Sequence, residues 1–493
     1  MIIKLIKFLF SDSLRTFLIL SIFHFSLYFS SSNKVFFFLS ILTVIALYQH
    51  LKKLPLSLFY LYLTTLPFAK GKGLEIILLA KKYVLKNAIF DIDYVFPIFF
   101  STFFLGLFYY IYFKNKNYKK SKSIYISKNT KFSLLAFSLF IFISLLGANT
   151  SNFYLPIILS TIQLIQLIFV FFLPFILFNL YKKLTDFYLV ISSSLIFQSI
   201  WIFLQTLNQG RLNKDVESYL EGFQSGIWSD ENFDILRLSG TFYESSILGT
   251  FLLGYLAILT WYLLKGKLKD TKEKKIIIFS IVSAFIALVL TGSRAIYLVM
   301  IGLILYQLFF LKDQIKNKLK KVNKSVIISL IAIIVLFAMP YLLYRLSSIG
   351  KIFFNEGSGN YRIQLTEYAI RLAEKKPLLG VGLNLSPYYL ATSFPLEDYF
   401  IDPAHPHNIF TQIVTETGLL GLTSFILFLM FIFKPYVHKK RLTKLNGFFF
   451  ASLTYIFAAQ FYPIFINHME IISYLFLFLG FTAYEGQKLC VKK

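Results

Sequence analysis

Apolar residues run through this chain in long blocks, not in the short alternations of a soluble core. Blocks of about 15 to 27 residues, broken by polar connectors, predict membrane-spanning helices. They fall over approximately 14–30, 35–49, 54–68, 94–113, 132–147, 154–180, 187–207, 245–264, 275–291, 294–311, 325–345, 410–433, 446–466 and 470–486. The expected fold is an all-α polytopic membrane protein of about 12–14 transmembrane helices. The count varies because residues 69–93 carry five lysines, and "LEIILLAKKYVLKNAIF" within them reads as an amphipathic helix lying in the interface.

Composition supports this reading. A chain of 493 residues that is 57% hydrophobic holds more apolar surface than one soluble core can bury. The net charge of +26 does not point to nucleic acid, because the lysines sit in short clusters between apolar blocks. Instead it reports topology. With the N-terminus inside, "KNKNYKKSKSIYISKNTK", "KGKLKDTKEKK", "KDQIKNKLKKVNK" and "KPYVHKKRLTKLN" all face the cytoplasm, as does the C-terminus. The first apolar block lacks a small-residue cleavage pattern and reads as a signal anchor. The single cysteine, Cys490, allows neither an internal disulfide nor a thiolate metal cluster.

The pattern divides the chain into an N-terminal transmembrane bundle (1–207), an external loop (208–244), central transmembrane helices (245–345), a long external loop (346–409), and C-terminal helices with a tail (410–493). The first loop holds seven acidic and three basic residues, and the second six and five. Both face the periplasm, or the outer surface if there is one membrane. The spans are nearly free of ionisable groups: His24 is alone in the first, and Gln163, Gln166, Gln198 and Gln460 read as interhelical hydrogen-bonding groups. An ion-coupled transporter needs charges near the midplane. The polar residues therefore predict work at the outer interface, on an amphiphilic substrate.

Four stretches concentrate candidate chemistry there. "LRLSGTFYESSILG" carries Arg237, Gly240 and Gly249. "LTGSRAIYL" puts Arg294 in a tight turn between two spans. "GSGNYRIQLTEYAIRLAEKKPLLGVGLN" spaces Leu365, Tyr368, Ala369 and Leu372 as an amphipathic helix over about 361–375, opened by Arg362 and ended by Pro377, with Gly380 and Gly382 beyond. "DPAHPHNIFTQIVTETGLLGL" carries His405, His407, Asn408, Glu416, Gly418 and Gly421. In this order, over roughly residues 235–425, the four resemble the O-antigen ligase and O-antigen polymerase family of bacterial surface-polysaccharide enzymes. One departure is Ser245-Ser246, where that family often has Pro-Asn.

The resemblance implies a metal-independent, GT-C-like membrane glycosyltransferase without a cofactor, in the inner (plasma) membrane. Its donor would be a glycan on a polyprenyl diphosphate, and its acceptor a glycan or lipid-linked hydroxyl. Membrane lipids surround it, and the resemblance leaves room for a flippase and a chain-length regulator of the same pathway as partners. Polymerase stands slightly ahead of ligase, since polymerases are the more varied group. A lipid-linked oligosaccharide flippase is the rival, and it would want a charged central cavity.

Such a transfer needs a base for the acceptor hydroxyl and cations for the leaving diphosphate. Arg237, Arg294 and Arg362 suit the second task, since guanidinium holds its charge and binds phosphate oxygens bidentately. The blander reading is that each anchors a helix end. For the first task, Pro406 suits a helix start, so His407 would lie in the first turn, where the dipole keeps the ring neutral. His405 reads as an orienting or surface residue. His-x-His lacks a third ligand at a recognised spacing, so no metal is expected. Asn408, Gln412 and Glu416 fall at i, i+4 and i+8, a polar strip on one face. Glu416 reads equally as a catalytic partner or a packing carboxylate.

Overall fold

The computed structural model describes residues 14–27, 33–68, 73–85, 88–115, 124–147, 154–181, 184, 186–212, 226–230, 233–242, 244–265, 271–319, 357–393, 406–437, 446–462 and 469–491. In chain order these form α1 (Arg15–Leu27), α2 (Asn33–Leu51), α3 (Leu54–Thr65), β1 (Gly73–Leu85), β2 (Ala88–Phe99), α4 (Phe100–Lys114), α5 (Lys128–Leu146), α6 (Tyr154–Leu180) and α7 (Phe187–Leu207). There follow β3 (Gly226–Asp230), β4 (Phe233–Arg237), α8 (Ser245–Lys265), α9 (Thr271–Leu290), α10 (Arg294–Leu319), α11 (Gly357–Lys375), α12 (Ser386–Ser393), α13 (Ile409–Phe433), α14 (Gly447–Ala458) and α15 (Met469–Val491). Among the described residues, six helices are long and apolar enough to cross a bilayer, at 34–51, 128–146, 156–180, 187–207, 245–265 and 409–436. Shorter apolar helices lie at 15–26, 54–68, 294–309 and 447–458. This is a helical, multi-pass membrane protein.

Three expectations change. Within the segment expected as an interfacial amphipathic helix in 69–93, the described residues are extended instead, with β1 and β2 paired in a two-stranded sheet. Ile89, Ile92, Tyr94 and Val95 favour a strand, and Pro97 interrupts any helix running through it. The span expected at 94–113 accordingly starts later, at Phe100. The span expected over 446–466 ends as a helix at Ala458. The span expected at 325–345 lies outside the described residues.

The chain forms two compact units. The first comprises residues 1–76, 97–124 and 174–303. Here α3 is interior, with Pro55 through Thr65 all buried, as befits a helix apolar on every side. His24 is buried too. Its Nδ1 lies 3.1 Å from Ser193 Oγ, and its ring stacks on Phe197 at 4.8 Å, which accounts for a lone histidine in an apolar helix. Near the helix ends that the lysine pattern assigns to the cytoplasm, Thr16 Oγ1 donates to Asp186 Oδ2 at 2.7 Å, and His50 Nε2 lies 3.9 Å from the same oxygen. Burial pushes the Asp186 carboxyl above its ordinary pKa, against the opposing pull of Thr16, His50 and Lys53.

The second unit comprises residues 77–96, 125–173 and 304–493. Phe137 of α5 packs against Phe428 of α13 and Phe476 of α15, each at 4.9 Å. A Cβ on Gly480 would come 2.2 Å from the Phe171 carbonyl oxygen, so α15 and α6 meet with no side chain between them. The expected amphipathic helix is α11. Its Leu365, Ala369 and Leu372 are buried with Val381 and Leu390, while Ile363 and Ile370 stay exposed.

Candidate functional site

The sequence motifs at 377–386 and 415–421 prove to be one structure. α13 is broken at Gly418, whose φ of 68° and ψ of −172° are open to glycine and to almost no other residue. In an unbroken helix the carbonyls of Thr415 and Glu416 would accept from residues 419 and 420. Here the loop after α11 takes their place. Val381 N donates to Thr415 O at 2.9 Å and Gly382 N to Glu416 O at 3.0 Å. In return, Leu419 N donates to Pro377 O at 2.8 Å and Leu420 N to Leu378 O at 3.4 Å. The loop is spliced into the helix, and the Thr415 and Glu416 carbonyls and the Leu419 and Leu420 amides freed by the break find partners, as a buried site requires. Contact is so close that a Cβ on Gly380 would lie 2.4 Å from the Glu416 carbonyl carbon, and one on Gly418 2.2 Å from that of Leu378.

Glu416 fastens the same loop through its side chain. Its buried carboxylate accepts from Asn384 N at 2.9 Å, Ser386 Oγ at 2.6 Å and Gln412 Nε2 at 3.2 Å. Beyond it, burial and the neighbouring Tyr388 push the Tyr389 phenol above its ordinary pKa, so it stays a neutral hydroxyl.

At the start of α13 one expectation is corrected. The helix begins at Ile409, not at Pro406, so His407 lies outside the first turn. Asn408 is the cap: its Oδ1 accepts from Phe410 N at 2.9 Å and Thr411 N at 3.1 Å. Asparagine is among the strongest N-cap residues, and it fixes the boundary here. His407 is half-buried one residue before the cap, with Nδ1 shielded from solvent. The dipole argument for a neutral ring loses force at that distance.

The turn following α14 gathers the rest. Asn408 Nδ2 donates to Gln460 Oε1 at 2.9 Å, and Ile409 N donates to Ala459 O at 2.8 Å. Arg362, half-buried in α11, donates from Nη1 to Phe461 O at 3.4 Å and lies over the Tyr462 ring at 5.3 Å. Residues 362, 407–408 and 459–462 thus share one neighbourhood.

The other candidates belong to the first unit. Arg237 ends β4, where it pairs with Gly226, and the turn after it is held by α7. Gly240 has φ +60°. Gly249 faces Ile296, which a Cβ would approach to 2.7 Å, so α8 and α10 pack closely there. Arg294 is the half-buried first residue of α10, after a short turn that Gly292 permits with φ +63°. A cation at a helix N-terminus opposes the dipole.

The structure therefore brings Arg362 and Asn408, with His407 next to Asn408 in the chain, to one turn, and separately joins Gly380, Gly382 and Glu416. In the first unit, Arg237 ends β4 and Arg294 opens α10, and His405 lies outside the described residues. Among the described residues no group of three or more His, Cys, Asp and Glu side chains is placed to hold a metal ion. Sequence reading missed Asn384, Ser386 and Gln205, and gave Gln460 as an interhelical hydrogen-bonding group without naming its partner. Gln205 had a usable signal, seven residues after Gln198 on the same helix face. Gln460 had none, since its partner is 52 positions away.

A broken helix, a spliced loop and a capped helix start define a membrane protein whose polar machinery gathers at helix ends. Residues 278–426 match the family model described as O-Antigen ligase, the family that the motifs resemble. A Rickettsia conorii protein named as a candidate polysaccharide ligase is 29% identical over 140 residues, covering 27% of this chain and 33% of that protein. The match thus spans about a third of the length of that relative.

Proposed function

We propose that this chain is a surface-polysaccharide glycosyltransferase of the ligase type. It transfers a glycan from a polyprenyl diphosphate to an acceptor hydroxyl on the outer face of the inner (plasma) membrane, without a metal. One observation carries the reading: Arg362 and the His407–Asn408 segment meet the same turn at 459–462. This supports a permanent cation and a candidate base working from the same turn, at the head of a membrane helix.

In this reading His407 takes the proton of the acceptor hydroxyl as its oxygen attacks the anomeric carbon. The bond from that carbon to the diphosphate oxygen breaks, and polyprenyl diphosphate leaves with the electron pair. Arg362 offsets the charge that builds on the leaving group, and Arg237 and Arg294 are proposed as further diphosphate ligands on the sequence motifs alone. Glu416 has its oxygens occupied by three donors and acts by holding the 377–386 loop, not by moving a proton. Asn408, Gly380 and Gly382 support the same geometry.

Ligase is placed first because the family description and the relative's name both say ligase. Polymerase is the second reading, since the motifs serve either. The acceptor would be a lipid A-core or another terminal acceptor for a ligase, and a growing glycan for a polymerase. The glycan profile of a deletion strain separates them. Lipid-linked polymer that accumulates without surface transfer supports the ligase, and surface lipid bearing a single repeat unit supports the polymerase. An unchanged profile overturns both.

A further inference from the structure

Two glutamines in α7 do something that an interhelical hydrogen bond would not. Gln198 and Gln205 are two helical turns apart, so both face the same way, and both are fully buried. Each side-chain amide uses its two ends on one short turn. Gln198 Nε2 donates to Thr241 Oγ1 at 2.6 Å, and its Oε1 accepts from Thr241 N at 3.2 Å. Gln205 Nε2 donates to Gly240 O at 2.9 Å, and its Oε1 accepts from Gly240 N at 3.0 Å. The turn is bound as a strand is bound by a neighbour, with donor and acceptor alternating. The fit is tight: a Cβ on Gly240 would stand 2.7 Å from Gln198 Oε1. Leu238 and Ser239, just upstream, are wholly buried. Arg237 is thus the last residue before a clamped segment, with the pairing of β4 to β3 fixing its other side.

We infer that Gln198 and Gln205 are positioning residues for Arg237: they fix the backbone that carries this diphosphate ligand. This rests on the proposed function, in which Arg237 is a diphosphate ligand. An arginine gains over a lysine only when its planar fork is held in register with the phosphate oxygens, so a loosened turn costs affinity even though the charge remains.

The test is a double-mutant cycle on the purified full-length protein, with polyprenyl diphosphate as the probe. Gln205→Leu should weaken binding about tenfold or more when Arg237 is present, and less than about twofold in the Arg237→Ala background. Thr241→Val, a smaller change that removes one Gln198 contact, should show the same dependence on Arg237 and covers the case in which Gln205→Leu fails to fold. Equal losses in both backgrounds would mean the glutamines act on the fold and not through Arg237, which overturns the inference alone. Wild-type binding by Arg237→Ala would overturn the diphosphate role itself, and this inference with it.

Discussion

Gly418→Ala tests the splice between α13 and the 377–382 loop. Glycine holds a φ of 68° with ψ of −172° there, and an alanine in that region costs about 1–3 kcal/mol in backbone strain. The new methyl would also stand 2.2 Å from the carbonyl carbon and oxygen of Leu378. Both atoms are backbone, so relief requires the loop to retreat, weakening the hydrogen bonds at 2.9, 3.0, 2.8 and 3.4 Å. If two or three of these fail at about 1 kcal/mol each, the total is roughly 3–6 kcal/mol. Gly106→Ala is the control: nothing lies within 4 Å of its Cβ position in α4, so alanine should be neutral or gain about 0.5–1 kcal/mol. Thermal melting in detergent, with trypsin cleavage after Lys375 as a report of loop release, reads both. Gly418→Ala should melt well below the control and be cut sooner. Equal melting and equal cleavage would refute the splice as a determinant of stability.

Other expectations follow from the same geometry. Arg362→Ala should lower transfer about 10²–10³-fold, with Arg362→Lys recovering only part, because an ammonium lacks the bidentate fork; full activity of the lysine variant would make Arg362 an anchor. Glu416→Gln turns an NH2 toward one of three converging donors, which costs about 1–3 kcal/mol. It should speed the same tryptic cleavage, and a variant as stable as wild type would remove Glu416 from the clamp. Transfer by the purified protein should survive a strong chelator, and loss restored by a single metal would bring back a His405–His407 chelate.

Much of this was legible in the chain, for reasons that differ by residue. Apolar blocks located the helices because a bilayer leaves a spanning segment little choice but helix. α11 was readable from Leu365, Tyr368, Ala369 and Leu372 because its two faces meet different surroundings, and Pro377 marked its end. The extended segment at 73–99 was not: its lysines imitate an interfacial helix, and Pro97 was the overlooked sign. The boundary at His407 failed because proline and asparagine both signal a helix start, and the Asn408 side chain decides between them only once its amide partners are placed. The splice was hidden because glycine spacing at 380, 382 and 418 names a need for close approach without naming the backbone approached. Glu416 was left between two roles by the sequence, and only the arrival of Asn384 and Ser386 from another motif favours one. Gln198 was read as a helix-to-helix bond because hydropathy does not show that a turn at 240–241 folds against it.

The central claim is that His407 and Arg362 serve one transfer step in different ways. The direct measurement is release of polyprenyl diphosphate from a lipid-linked glycan donor by purified His407→Ala protein, with donor affinity measured alongside. Loss of the base should slow release by about 10²–10⁴-fold while donor affinity stays near wild type, since the imidazole acts on the acceptor proton and the arginines hold the diphosphate. Release at the wild-type rate by His407→Ala would contradict the account.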